Sequence, residues 1–339
     1  MIIKTLRILL LLFFSTLWFL GCSPDILRQL NKAGVIPDDY RYGDLYRVSN
    51  LPEFKERQEI CPKEFTADAP KLPVNLYLIG DSFTDEERIG KQDFVAQNYT
   101  RVHWAHTKKI ALDRTKKNVL IIQTVERHFR DHFAQAVRNL EVTTPTGLAA
   151  PPKNIGFWKS FNQIFPVNTE EVLESFLFGN DFAFQFKEIK ATLNQSIFGR
   201  TNDLVSFSKD KKYILLNLDT DSTRIYSSFT KLYDNEVDSL IMELDRTQKH
   251  YLAAGFDEVI LSIVPNKATI LAQNDGEYNH LIERIQTNKN LSIDFIGVYD
   301  AFVNSKSKLY LKGDSHWNCA GQRIWINKVN QKLKKKSRT

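Results

Sequence analysis

The sequence predicts a three-layer α/β protein: a central, mostly parallel sheet between helices, interrupted by a helical insertion. Three observations predict it. Val74–Ile79, Asn118–Gln123 and Val259–Val264 are short, nearly continuous apolar runs, the pattern of strands buried on both faces of a parallel sheet. Between them lie segments with helical spacing, Phe129, Phe133, Val137 and Leu140, then Val237, Leu240, Ile241 and Leu244. The first and last runs stop at strong punctuation, Gly80 and Pro265. Strand, helix and strand in succession is the rhythm of an α/β domain.

The 339 residues are 42% hydrophobic and 25% charged, ordinary values for a chain that buries a core. Lys4 and Arg7 precede the apolar run Ile8 to Leu20, which is short for a bilayer span and suits the core of a signal peptide. The run ends at Gly21-Cys22. This is similar to a bacterial lipoprotein signal, with cleavage before Cys22 and diacylglycerol on its thiol, although Phe19 and Leu20 depart from the usual residues there. Plain secretion is the alternative. Either route places the remainder outside the cytoplasm; the lipoprotein route makes it a periplasmic or outer-membrane lipoprotein of a bacterial cell envelope. There Cys61 and Cys319 can pair, but their spacing in sequence gives no distance in space. The net charge of +6 includes Lys4, Arg7 and the tail Lys334-Lys335-Lys336, so the body is only mildly basic. No basic and aromatic stripe points to nucleic acid.

Residues 1–21 read as the signal peptide, 22–71 as a tether and N-terminal segment, and 72–339 as the main domain. After Gly80 a polar, helical connection is expected over Asp85 to Gln92, then a second strand at Thr100 to Trp104. Asn118–Gln123 is the central strand. Residues 141–212 form the insertion, where phenylalanines cluster at 157, 161, 165, 176, 178, 182, 184 and 186. Such a cluster is more often core than sugar platform. Tyr213–Leu218 reads as a strand, with Arg224–Phe229 as its hairpin partner. Asp234 is placed as the N-cap of the following helix. Leu281 and Ile285 mark a short helix, Ile293–Tyr299 the last strand, and Ile324 and Val329 the final helix.

Two stretches carry chemistry. Gly80-Asp81-Ser82-Phe83 puts Ser82 just past the carboxyl end of a buried strand, where functional groups collect in open α/β sheets. Gly313-Asp314-Ser315-His316-Trp317 puts a carboxylate two residues before an imidazole. A serine hydroxyl needs a base, and the base needs an acid to hold its tautomer. Together the blocks resemble the SGNH (GDSL-like) hydrolase superfamily, and Trp317 after the histidine resembles its alginate O-acetyltransferase-like branch. The resemblance covers about Leu72 to Leu333. It implies an SGNH-like domain with Ser82 as nucleophile, His316 as general acid and base, and Asp314 as its orienter. Glu126-Arg127 after the central strand resembles the same branch, so Arg127 is a candidate for oxyanion or acidic-sugar contact, against a structural ion pair. Trp317 packs under His316 or lines a sugar cleft. Pro265-Asn266-Lys267 resembles a turn recurrent in the branch.

The chain also departs from the branch. Its best-known alginate members place the Asp-x-His block before the serine, and their tyrosine after the serine is Arg88 here. Gly199-Arg200-Thr201-Asn202-Asp203 imitates an oxyanion block but follows no strand. Glu126, His128 and His132 could be drawn as a metal site, yet none is expected, nor any cofactor. The first reading is O-acetylation of a polysaccharide, with the acyl group supplied by a membrane O-acyltransferase partner, as the resemblance implies. The alternatives are a carbohydrate or lipid acyl esterase, and a non-catalytic polysaccharide-binding or assembly protein.

Overall fold

A computed structural model describes residues 2–35, 37, 40–66, 68–144, 173, 174, 176 and 180–336. Two compact units divide the chain: Met1–Arg57 with Ala149–Asn202, and Gln58–Leu148 with Asp203–Thr339.

The second unit is built on a five-stranded, all-parallel sheet. The strands in chain order are β1 (Leu72–Gly80), β2 (Ala96–His103), β3 (Lys108–Ile110), β4 (Lys117–Val125), β5 (Leu140–Val142), β6 (Val205–Phe207), β7 (Ile214–Leu216), β8 (Glu258–Val264) and β9 (Asp294–Phe295). The sheet runs β2-β1-β4-β8-β9, so the three apolar runs lie side by side at its centre. Leu78 pairs with Ile121 and Ile122 with Leu261, each strand shielded by its neighbours. Side chains alternate across the sheet. Tyr77, Ile79, Leu120, Ile122, Leu261 and Ile263 face the helix Asp234–Ala254, through Val237, Leu240, Ile241 and Leu244. Leu76, Leu78, Val119, Ile121 and Ile260 face the final helix Cys319–Lys336, through Trp325, Ile326, Val329 and Leu333. The result is a three-layer α/β fold with helices on both faces.

Several elements differ from the sequence expectation. Asp85 to Gln92 forms turns and the start of a single 3₁₀ turn, Lys91–Asp93, in place of a helix. The helix after β4 stops at His132. Beyond it the Val137 N–H donates to Thr247 Oγ1 at 3.0 Å and the Leu140 N–H to Tyr251 Oη at 3.2 Å, so tertiary acceptors replace the helical ones. The partner of β7 is β6, which precedes it, and Arg224–Phe229 has no strand. Asp234 is the first helical residue, with Tyr233 at the cap and the Asp234 carboxylate 2.5 Å from Arg284. The last strand is two residues long.

In the first unit, the helix Asp181–Phe198 is capped by Asn180, whose Oδ1 accepts the Ala183 N–H at 2.8 Å. Phe184 is buried beside Tyr46, and Glu188 accepts from Tyr46 Oη and, at 2.8 Å, from Lys55 Nζ. Phe182 and Phe186 are exposed, so this part of the aromatic cluster is not uniformly core. Phe157, Phe161, Phe165 and Phe178 lie outside the described residues. The apolar run is a helix, Ile2–Gly21, with Cys22 buried at its end. Among the described residues, no helix is long and apolar enough to cross a membrane.

Candidate functional site

β1 and β4 are parallel neighbours, so Gly80 and Val125 end at the same edge of the sheet. A Cβ at Gly80 would collide with the Thr84 hydroxyl and lie 3.0 Å from Gln123 Oε1. The glycine is therefore required for close approach; its φ is not in the positive region. Asp81 next caps the single 3₁₀ turn Ser82–Thr84. Its buried carboxylate accepts the Phe83 N–H at 3.0 Å, Gln123 Nε2 at 3.0 Å and the Val125 N–H at 2.5 Å. Gln123 Oε1 accepts in return from the Asp81 N–H at 3.1 Å. A polar residue inside a buried strand has to be satisfied. Gln123 is satisfied by the turn that presents Ser82, which fixes the serine from below.

The other half of the site is the loop before the final helix. Asn318 Oδ1 accepts the N–H groups of Ala320 and Gly321 at 3.0 and 3.1 Å, capping that helix. Lys267 is fully buried, and its Nζ donates to the carbonyls of Lys312 at 2.7 Å and Asp314 at 3.0 Å. The Cys61–Cys319 disulfide, with Cα atoms 5.2 Å apart, fastens the segment around Gln58 to the helix start three residues past His316.

These supports bring Ser82, His316 and Asp314 into one hydrogen-bonded chain. His316 Nε2 lies 2.8 Å from Ser82 Oγ, and Nδ1 lies 2.6 Å from Asp314 Oδ1. The same Oδ1 accepts the His316 backbone N–H at 2.9 Å. Asp314 Oδ2 accepts from Gln58 Nε2 and lies 3.6 Å from the Arg88 guanidinium. Burial works to raise the Asp314 carboxyl, but the charge and hydrogen bonds of His316 and the charge of Arg88 hold it far below the usual carboxylate range. An ionised carboxylate only accepts, so Nδ1 must donate to it. Nε2 is left as the acceptor for the Ser82 proton. Phe83 packs against the imidazole, with ring centroids 4.7 Å apart.

The remaining candidates are placed differently. Arg127 Nη1 lies 3.2 and 3.3 Å from the two carboxylate oxygens of buried Asp219, with Cζ 5.7 Å from the Phe83 ring. Trp317 is only 2% exposed and packs edge-on to Phe83 at 5.2 Å and beside Trp325. It belongs to the core under the site, not to an open wall. Glu126 Oε2 accepts the Asn266 N–H at 2.9 Å and Thr269 Oγ1 at 2.5 Å. His132 is instead stacked on Trp104 at 3.8 Å, with Nδ1 2.8 Å from Thr124 Oγ1. Gly199 is the left-handed cap of a helix. Sequence reasoning did not find Gln58, Arg88 or Gln123 as supports, and took Lys267 only as part of a turn. Gln123 carried a usable signal, a polar residue in an apolar strand.

Fold and site thus define an α/β protein with a Ser–His–Asp relay at the carboxyl edge of its sheet. The chain matches no described protein family, no curated protein and no solved structure.

Proposed function

We propose that this chain is an extracytoplasmic acyl-transfer enzyme that O-acetylates a polysaccharide through Ser82. The observation that carries the reading is the relay itself, 2.8 Å from Ser82 Oγ to Nε2 and 2.6 Å from Nδ1 to Asp314. Both lengths suit proton transfer. Ser82 Oγ attacks the acyl carbonyl while its proton passes to Nε2, and Asp314 stabilises the imidazolium. Nε2 returns the proton to the leaving alcohol, giving acyl-Ser82. The acceptor hydroxyl then loses its proton to Nε2, attacks, and regenerates the serine. Within the turn, the Phe83 N–H and the Thr84 N–H are bonded to Asp81, so the Ser82 N–H is the donor assigned to the oxyanion.

The polysaccharide, and a membrane O-acyltransferase as acyl source, follow from the resemblance to the alginate O-acetyltransferase-like branch. Lipid on Cys22 would hold the enzyme at the membrane. One observation favours a second reading, hydrolysis: the Arg127 guanidinium that would help hold an acceptor sugar is engaged by Asp219. Incubation with an activated acetyl ester and a panel of acidic and neutral oligosaccharides separates the two, as acetylated glycan or free acetate. Ser82→Ala and His316→Ala are each expected to lower turnover at least ~10³-fold, and Asp314→Asn less. Wild-type turnover by folded Ser82→Ala would end the proposal.

A further inference from the structure

Asp314 spends one carboxylate oxygen on His316 and turns the other toward a strap from the N-terminal side of the sheet. Its Oδ1 takes the imidazole Nδ1–H and the His316 backbone N–H. Among the described residues, the one hydrogen bond to Oδ2 comes from Gln58 Nε2, with the Arg88 guanidinium farther off at 3.6 Å. The Asp314 side chain is 1% exposed, so bulk water does not replace a donor lost there.

Gln58 lies on a segment with little of its own to hold it. Residues 55–63 form no helix or strand. Glu59, Ile60 and Pro62 are exposed, Ile60 at 98%, so no apolar side chain next to Gln58 anchors the strap in the core. The covalent bond from Cys61 to Cys319 does so instead, three residues past Gln58, and Cys319 begins the helix that follows the Asp314–His316 loop. Farther along, Lys63 Nζ donates to the Arg88 carbonyl at 3.1 Å and to Asp93 Oδ2 at 2.8 Å. The strap thus supplies one donor to Oδ2 and braces the loop that carries the second. Ordering a glutamine against a partner 256 residues away costs entropy, and the cross-link has already confined its backbone.

We infer that Gln58 is a positioning residue of the relay and that the Cys61–Cys319 disulfide holds it on Asp314, so that reducing the disulfide slows Ser82. The inference rests on the reading of Ser82 as nucleophile given above. With Gln58 in place, Oδ2 is occupied and Oδ1 stays in line with His316 Nδ1. Without it the carboxylate turns toward Arg88 and loosens the imidazole that must take the Ser82 proton. Both cysteines are half-buried, within reach of a small dithiol. The dithiol gives up two electrons and two protons and leaves as its own cyclic disulfide, while Cys61 and Cys319 become thiols.

The test measures how fast a fluorophosphonate labels Ser82 in the full chain at pH 7, with and without dithiothreitol. Alkylation and mass spectrometry count the two new thiols, and circular dichroism checks the fold. Reduction is expected to slow labelling about tenfold, and Gln58→Leu, which keeps the disulfide, to slow it by a similar factor. Reduction should then change the rate of Gln58→Leu by less than about twofold, because both changes remove one interaction. Gln58→Glu is closer in shape but sets a second carboxylate against Oδ2, so it is expected to be slower than Gln58→Leu. A side chain that only filled space would give the opposite order. Cys61→Ala with Cys319→Ala should match the reduced wild type. Equal labelling of folded oxidised and reduced protein, a full response to reduction in Gln58→Leu, or Gln58→Glu faster than Gln58→Leu would overturn the inference. Unfolding on reduction would overturn the part assigned to the disulfide, and the two Gln58 variants would still decide the part assigned to Gln58. No labelling of the oxidised wild type would instead remove the reading of Ser82, and this inference with it.

Discussion

Replacing Arg127 by Met tests whether that residue holds the fold or touches substrate. Its guanidinium is 6% exposed and the Asp219 carboxylate fully buried, with both carboxylate oxygens within 3.3 Å of Nη1. Burying two charges is expensive, and their attraction offsets that only while both are present. Arg127→Met leaves the carboxylate buried without its guanidinium, and the expected loss is about 3–5 kcal/mol of unfolding free energy. Asp219→Leu should lose a similar amount. Arg127→Met with Asp219→Leu removes both charges together and should return to within ~1 kcal/mol of wild type. Urea denaturation at pH 7, followed by circular dichroism, measures all four corners of the cycle. Ser82 labelling by a fluorophosphonate in the double variant should proceed near the wild-type rate. A loss below ~1 kcal/mol in Arg127→Met, or a double variant no better than the sum of its singles, would refute the reasoning. The ion pair with Asp219 would then not account for the burial of Arg127.

Two further predictions concern titration and anchoring. Burial pushes the Glu126 carboxyl from 4.5 up to about 7, against the pull of its bonds to Thr269 and Asn266. The native state then holds a proton that the unfolded chain releases, so stability falls as pH rises from about 4.5 through 7, by on the order of 3 kcal/mol. Glu126→Gln should flatten the difference between urea midpoints at pH 5 and pH 8, and an unaltered difference counts against the assignment. For the anchor, Cys22→Ser should move the protein out of the membrane fraction or block its processing; unchanged fractionation and processing would remove the lipoprotein reading.

What was legible in the sequence follows from where each instruction is written. β1, β4 and β8 are buried on both faces, and that burial appears as uninterrupted apolar residues. β2 lies at the edge and reads Ala-Gln-Asn-Tyr-Thr-Arg-Val-His, so only its second half stood out. Val137 and Leu140 kept helical spacing, yet acceptors on another helix took their N–H groups. β6 is three residues long and carries no run that could announce a hairpin. At the site, Asp314 and His316 could be read because two residues of spacing let one oxygen bind both the imidazole and its backbone N–H. Gln58 could not, since it reaches Asp314 across 256 residues. Pairing of Cys61 with Cys319 likewise depends on a separation of 258 residues that only folding resolves.

Ser82 and His316 stand 234 residues apart and meet through one hydrogen bond. Ribosomes add residues from the N-terminus, so the alcohol is made long before its base. Until residues 314–318 exist and the final helix has docked, Ser82 is an unactivated hydroxyl. The order β2-β1-β4-β8-β9 imposes the same delay, because parallel neighbours must close long loops before they gain contacts. On the proposed function, the growing polypeptide would therefore hold Ser82 unactivated during its synthesis. Activation of Ser82 would wait until the C-terminal helix closes.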